Sequence, residues 1–409
     1  MSGRSLLFVH QNFPGQFGAV AGACVARGDR VAAIGSTGAR DVAGVDVRRW
    51  RNGRASTAGI FEAATRAEAD LIRAEAAVQA ALSLKADGFA PDVIIGHPGW
   101  GETLHLRDVF PDAPQVIFGE YFYNSRAADL GFDAEFQKHD LQAAMRANGK
   151  NATGALAYVG AKRIVCPTPF QASTFPASLQ ERITIHHEGV DTSRARRNPA
   201  ARLQTPSGKV LSGDDEVITF INRQFEPMRG FAVFMRALPA VMKARPRAEI
   251  VLIGASEGPA YGGASSDGRS WRERMLSEVG GQLDPARMHW MGHVPHARMV
   301  DALSVSRAHV YYTYPFVLSW SLLEAMSCEC LILGSDTAPV RDAVRSGENG
   351  LLHPFLEVQA LSDALIQALQ APGRHEQLRR AARQTVLERF DQARVGTPGW
   401  IRIIDDVAA

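Results

Sequence analysis

Four cysteines in 409 residues, at positions 24, 166, 328 and 330, are too few for a disulfide scaffold. Cys328 and Cys330 stand one residue apart rather than the two usual for zinc, so all four read as reduced and structural. No apolar run approaches the roughly 18 residues that span a bilayer. The apolar start, Leu6 to Val9, is too short for a secretory signal. A cytoplasmic location is expected, with peripheral contact at the inner face of the membrane left open. The net charge of +2 makes no field that would recruit nucleic acid as a partner. Arg48, Arg49, Arg51 and Arg54 crowd around Trp50, which reads either as a solvated loop or as a weak contact for anionic lipid. Also missing are a Gly-x-x-x-x-Gly-Lys-Ser/Thr phosphate loop, a His-Glu-x-x-His zinc helix and a Gly-x-Ser-x-Gly nucleophile elbow. Asp214-Asp215-Glu216 precedes a hydrophobic run instead of following one, which is a poor position for a metal-sugar ligand. Neither a metal nor a cofactor is expected.

What is present is alternation. Short aliphatic runs recur at Leu6 to Val9, Arg30 to Ile34, Asp92 to Ile95, Gln115 to Phe118, Arg163 to Cys166 and Ile183 to His186. Stretches of helical periodicity separate them, the pattern that builds a parallel sheet covered on both faces. Between the second and third runs, Phe61, Ala64, Ala67, Leu71, Ala74, Val78 and Leu82 predict an amphipathic helix over Phe61 to Leu84. A polar, turn-rich segment from about Thr192 to Glu216 interrupts the pattern. The alternation restarts with Val217 to Ile221, Glu249 to Ile253, Met288 to Met291, Ala308 to Tyr312, Leu331 to Leu333 and Gly350 to Leu352. The expected division is therefore a first Rossmann-like domain at 1–205 and a second at 206–390. A terminal helix at 391–409 is expected to return to the first domain.

Open α/β sheets bind ligands beyond the carboxyl ends of their strands. The first run leads into His10-Gln11-Asn12-Phe13-Pro14-Gly15-Gln16-Phe17, the third into Gly96-His97-Pro98-Gly99-Trp100-Gly101-Glu102, and the fourth into Gly119-Glu120-Tyr121-Phe122. In the second half, Arg223 ends a run and Arg229-Gly230 follows. Two guanidinium groups at the mouth of a sheet can hold a diphosphate with bidentate hydrogen bonds, or can be a surface ion-pair element. Tyr314 to Met326 reads as a loop opening into a helix, whose free N–H groups and dipole favour phosphate. Glu324, one turn in, either accepts from ribose hydroxyls or is a solvated side chain on a buried helix. The glycine- and serine-rich stretch from Gly254 to Gly268, with Tyr261-Gly262-Gly263, either folds over a ligand or is a surface loop. Glu120-Tyr121-Phe122 offers an acceptor contact or aromatic packing.

Arg223, Arg229-Gly230, Leu323-Glu324-Ala325-Met326 and Ser335-Asp336-Thr337-Ala338-Pro339-Val340-Arg341 together resemble the signature of the retaining GT-B glycosyltransferases of family 4. The segment His10 to Phe17 is similar to the opening loop of one bacterial branch. The resemblance runs through nearly the whole chain. It implies two doubly wound domains facing across a deep cleft, with the first on the acceptor side and the second on the donor side. It implies a nucleotide sugar, UDP- or GDP-linked, as co-substrate. Arg223 and Arg229 become the cations for the diphosphate, and Glu324 the ribose ligand. The backbone of Leu322 and Leu323, with Ser319 and Ser321, faces phosphate or sugar. Gly292, His293 and Val294 lie along the base, Gly15 and Gln16 approach the diphosphate, and His97 lies near the transferred sugar. Asn12, Phe13, Trp100, Glu120 and Tyr121 are acceptor-side candidates. Family members usually carry a second glutamate where this chain has Phe316, which opens the question of how the sugar is recognised.

The expected reaction is metal-independent transfer of a sugar to an acceptor hydroxyl with retention of configuration. Arginine and a helix N-terminus stabilise the leaving group, and His97, Arg223, Arg229 and Glu324 carry the chemistry. The acceptor is open among glycan, lipid-linked and protein. A nucleotide-sugar epimerase on the same fold and a catalytically silent binding protein are the competing readings.

Overall fold

The computed structural model describes residues 3–126, 128–258 and 267–409. The chain divides into two compact units, Met1–Gly189 with Gln392–Ala409, and Val190–Asp391. The first carries strands β1 Ser5–Val9, β2 Arg30–Ser36, β3 Val45–Trp50, β4 Val93–Gly96, β5 Gln115–Phe118, β6 Arg163–Cys166 and β7 Ile183–Ile185. They form one seven-stranded parallel sheet in the order β3-β2-β1-β4-β5-β6-β7. Both faces of β1 are buried, and its side chains alternate between two cores. Leu6 and Phe8 join Phe17, Trp400 and Ile404, whereas Leu7 and Val9 join Ala77, Ala81 and Leu84.

The helix Thr397–Ala408 completes the first core through Trp400, Ile403, Ile404 and Val407, which recur every three or four residues along one face. The segment before it is held by His186, whose Nε2 lies 2.8 Å from the Gly396 carbonyl oxygen.

The second unit opens with a two-stranded antiparallel ribbon, β8 Leu203–Gln204 and β9 Val210–Leu211. Its main sheet comprises β10 Glu216–Gln224, β11 Ala248–Ala255, β12 Met288–Gly292, β13 Ala308–Tyr311, β14 Ile332–Ser335 and β15 Leu351–His353. The order is β12-β11-β10-β13-β14-β15, again all parallel. In each sheet the order reverses beside the first strand, between β1 and β4 and between β10 and β13, which opens a crevice at the carboxyl ends of those strands.

Three sequence expectations are corrected. The second unit begins at Val190, not at 206, because Ala195, Ala201, Leu203 and Leu211 are buried in its core. Arg48, Arg49 and Trp50 are not loop residues but the end of edge strand β3, whose alternating charges suit a strand with one open side. The long helix spans Thr65–Ala86, and its buried side coincides only in part with the predicted one. Phe61, Leu71 and Leu82 are 71%, 46% and 44% exposed, whereas Ile72, Ala76, Ala77, Ala81 and Leu84 are buried. Of the predicted face, Ala74 is fully buried and Val78 packs partly on the core, so the outcome is a rotation that turns the bulkier Leu71 and Leu82 outward and brings alanines against the sheet.

Trp400 is fully buried in the first unit's core, so Trp400→Ala should destabilise that unit by about 3–5 kcal/mol. Hydrogen exchange read by mass spectrometry should show faster exchange in 3–189 and 392–409 with 190–391 little changed. Equal loosening of both units would contradict this division of the cores.

Candidate functional site

At the first crevice the strand ends place two imidazoles side by side. His10 follows β1 and His97 follows β4, where the His97 N–H donates to the Val9 carbonyl at 2.9 Å. Their ring centroids are 5.4 Å apart, and Trp100 stacks on His97 at 4.7 Å. His97 Nδ1 accepts the Gly99 N–H at 3.0 Å, which leaves Nε2 facing the Glu120 carboxylate at 3.6 Å. Burial and the neighbouring His97 push His10 down to about 3, so it is neutral, and its Nδ1 accepts the Asn12 N–H. Gly15 is required here, because its φ of +49° is left-handed and a Cβ would stand 2.5 Å from the His10 ring.

The predicted first-unit residues therefore divide. His97, Trp100 and Glu120 converge at the strand ends. Asn12 and Gly15 are exposed on the opening loop, and Gln16 hydrogen-bonds to His10 through its side chain. Phe13 is fully buried in the core beside Ala33 and Ala39 and cannot contact an acceptor. Tyr121 is also buried and donates its hydroxyl to Asp129 at 2.7 Å. The packing alternative holds for Phe122 too, whose ring lies 5.5 Å from that of Phe175.

A buried carboxylate that sequence reasoning missed holds the His97 loop. Asp70, on the helix Thr65–Ala86, accepts from Arg66 Nε at 2.9 Å, Arg73 at 2.9 Å and Thr153 Oγ1 at 2.7 Å. Arg66 also donates to the Gly99 carbonyl, and Arg73 to that of Trp100 at 3.4 Å. Nothing in the spacing of an i, i+4 Arg-Asp pair distinguishes such a buried hub from a surface ion pair. Next in the loop, Glu102 is fully buried, and among the described residues no side chain or backbone group of another residue hydrogen-bonds its carboxylate. Burial pushes its carboxyl up to about 7.

The arginines of β3 and the following loop line a separate hollow of about 720 Å³ against the helix Thr65–Ala86. Arg48 pairs with Asp46 and Asp87, Arg49 with Asp41, and Arg54 with Glu68, so most of that positive charge is compensated locally.

At the second crevice, Arg223 sits on a β-bulge, since Ile221 pairs with Ile253 but Gln224 with Ala255. The extra residue turns Arg223 outward at the end of β10. It is exposed, and among the described residues no hydrogen bond or ion pair is found for it. Arg229 is different. It is 7% exposed and donates to Thr313 Oγ1 at 2.9 Å and to the Val317 carbonyl at 3.0 Å, with its guanidinium 5.8 Å from the centre of the Phe316 ring. The expected pair of equivalent cations is thus one exposed arginine and one that organises the loop after β13. Gly230 lets the chain turn there, with φ of +74° and a would-be Cβ 2.2 Å from the Tyr312 Cβ.

The same loop ends at Ser319, whose N–H donates to the Tyr311 hydroxyl at 2.8 Å and whose Oγ caps the helix Trp320–Ser327 by accepting the Ser321 N–H. The Leu322 and Leu323 side chains are fully buried, so only their backbone is available to a ligand. Glu324 remains partly exposed and bonds to His296 at 2.6 Å, a partner absent from the sequence reading. Ser335 and Thr337, part of the motif that carried the resemblance, are buried and bind the backbone of Thr313. Their role is to tie the ends of β13 and β14 together. Gly292, which ends β12, and His293 after it are exposed, and Val294 packs partly on the core. Tyr261 and Gly262 lie outside the described residues. No described helix is long and apolar enough to cross a membrane.

Residues 27–195 match the family model described as glycosyl transferase family 4 group, and residues 205–385 match glycosyl transferases group 1. Each half thus matches a glycosyltransferase family model. A phosphatidyl-myo-inositol mannosyltransferase of Mycobacterium leprae is 27% identical over 197 residues, which is 47% of this chain and 47% of that protein. A D-inositol 3-phosphate glycosyltransferase of Rhodococcus jostii is 25% identical over 194 residues, 47% of this chain and 41% of that protein. The chain therefore spans about half the length of the curated relatives it matches. Among solved structures, sucrose-phosphate synthase from Thermosynechococcus elongatus superposes with a TM-score of 0.73 at 15% identity, covering 99% of this chain and 100% of that one. Anabaena HepE, solved with UDP and glucose, gives 0.66 at 14% identity, covering 98% and 100%. The likeness is one of fold, a pair of Rossmann-like α/β units of the GT-B class.

Glu102 generates a pH-dependent prediction. Its folded value of about 7 lies above its ordinary 4.5, so the penalty for burying its charge is absent below about pH 4.5 and complete above about pH 7. Glu102→Gln should raise stability against unfolding by about 3 kcal/mol at pH 8 and by less than about 1 kcal/mol at pH 5. Equal gains at both values, in thermal or urea unfolding, would rule out the buried charge as the cause.

Proposed function

We propose that this chain, whose halves match glycosyltransferase family models, moves a sugar from a nucleoside-diphosphate donor to an acceptor hydroxyl, with retention and with protein cations in place of a metal. The observation that carries the reading is the second crevice. There an arginine with no partner among the described residues, a capped helix N-terminus and a partly exposed carboxylate all stand at the strand ends where the sheet order reverses. Arg223 offers a diphosphate a bidentate contact, and the amides at the start of the helix Trp320–Ser327 favour the same charge. The Arg229 guanidinium, beneath the loop, adds positive potential and keeps the loop amides in place. Glu324 accepts from the ribose. Together these groups stabilise the departing diphosphate, so an acceptor attacking from the same face needs no protein nucleophile.

Sugar recognition falls to the loop. The Phe316 ring lies against Arg229 and offers no acceptor, so backbone groups at 317–319 and the hydroxyls of Ser319 and Ser321 take the hydrogen-bonding role. On the first unit, His97 with Trp100 and Glu120 offers a polar and aromatic surface for an acceptor. The donor is proposed to be UDP- or GDP-linked, UDP being the nucleotide held by the Anabaena protein. Inositol compounds belong in the acceptor panel because they appear in the names of the sequence relatives. The local compensation of Arg48, Arg49 and Arg54 favours an acceptor recognised by this surface over one drawn by anionic lipid.

The two arginines should separate in experiment. Arg223→Ala should weaken nucleoside-diphosphate binding by about 1.5–3 kcal/mol, roughly ten- to a hundredfold, with unchanged thermal stability. Arg229→Ala should lose comparable affinity and also stability, because Thr313 and Val317 lose a buried donor. Calorimetry and thermal unfolding read the two effects. Parent-like affinity in Arg223→Ala would remove the phosphate role, and failure to consume any nucleotide sugar across broad donor and acceptor panels would favour a silent binding protein.

A further inference from the structure

Glu324 is not a free carboxylate. Its Oε1 lies 2.6 Å from Nε2 of His296, with the two side chains 17% and 33% exposed. The partners come from different elements. His296 is the first residue of the helix His296–Val305 and directly follows the loop Gly292 to Pro295 after β12. Glu324 lies on the helix Trp320–Ser327, which follows β13. Both helices are anchored by buried apolar faces, Val300 and Leu303 on one and Leu322, Leu323 and Met326 on the other, so the distance is set by packing. Against a carboxylate, the ring nitrogen at this distance donates.

We infer that His296 is a positioning residue that presents the Glu324 carboxylate to the vicinal hydroxyls of a ribonucleotide. The inference rests on the proposed role of Glu324 and adds the device that orients it. A carboxylate has about four lone-pair sites on two oxygens, so one bond to the imidazole leaves capacity for both ribose hydroxyls. A glutamate held in one rotamer also loses less freedom when the ligand arrives. The same bond ties the proposed base loop to the ribose ligand, since His296 begins where that loop ends.

The test uses the full chain and measures calorimetric affinity for UDP, GDP and ADP against their 2′-deoxy counterparts, taking the nucleotide that the parent binds best. Thermal unfolding confirms that each variant is folded. His296→Ala should reduce the preference for ribose over 2′-deoxyribose by about three- to tenfold, since the Glu324 carboxylate stays in place and only its ordering is lost, an effect no larger than one ordinary hydrogen bond. His296→Gln, whose amide N–H can reach the same oxygen, should recover most of it. In a Glu324→Gln background, His296→Ala should cause no further loss, since the two residues act through one contact. If Glu324→Gln loses the ribose preference but His296→Ala keeps it, or if the two losses add, the positioning role is overturned while the reading of Glu324 stands. If Glu324→Gln keeps the preference, or the parent binds none of the three nucleotides, the ribose reading fails and the positioning role falls with it.

Discussion

In each unit the main sheet is parallel and covered on both faces, and this constraint decides where chemistry can occur. Backbone groups within the sheets pair with neighbouring strands, and alternate side chains enter separate apolar cores, as Leu6 and Leu7 do on β1. Polar function is left to the segments that leave the carboxyl ends of the strands. In the first unit those segments carry His10, His97 and Glu120. In the second they carry Arg223, Arg229 and the loop that leads to Glu324.

Placing charge at such positions requires that it be satisfied, and the structure does so unequally. Arg229 is buried, so its guanidinium is met by a hydroxyl, a carbonyl and an aromatic face, and the loop 313–319 folds around it. Asp70 is buried and gathers Arg66, Arg73 and Thr153, which carry the backbone of the His97 loop with them. Removing one member of such a network leaves another charge uncompensated, which costs more than the contact itself is worth. Glu102 is the exception. Among the described residues no hydrogen-bond partner from another residue meets its carboxylate, and burial raises its proton affinity instead.

Much of this was legible before any coordinates. Aliphatic runs located the buried strands because a strand covered on both faces must be apolar throughout, and the residues just after those runs are the ones that gather at the crevices. Edge strand β3 was not legible, since Val45 to Trp50 alternates with charge and resembles a polar loop. The face of the helix Thr65–Ala86 was legible only in part, at Ala74 and Val78, because close approach to the sheet selects alanine, which carries little pattern. Phe13 and Tyr121 sit beside functional positions in the chain, yet the pleat and the turn of each loop direct them into packing.

The sequence by itself determined the fold class, the existence of two Rossmann-like units and the short list of segments where ligands can bind, because all three follow from local periodicity and strand ends. Tertiary structure decided which members of that list share a site and in what electrostatic state. It left Arg223 exposed but buried Arg229, joined Glu324 to His296 and gave the His97 loop its anchor in Asp70. Those outcomes depend on groups far apart in the chain, such as His296 and Glu324, 28 positions apart, or Arg73 and Trp100, 27 apart. The direction of a side chain toward a distant partner is set by how helices pack on a sheet, which no local spacing encodes.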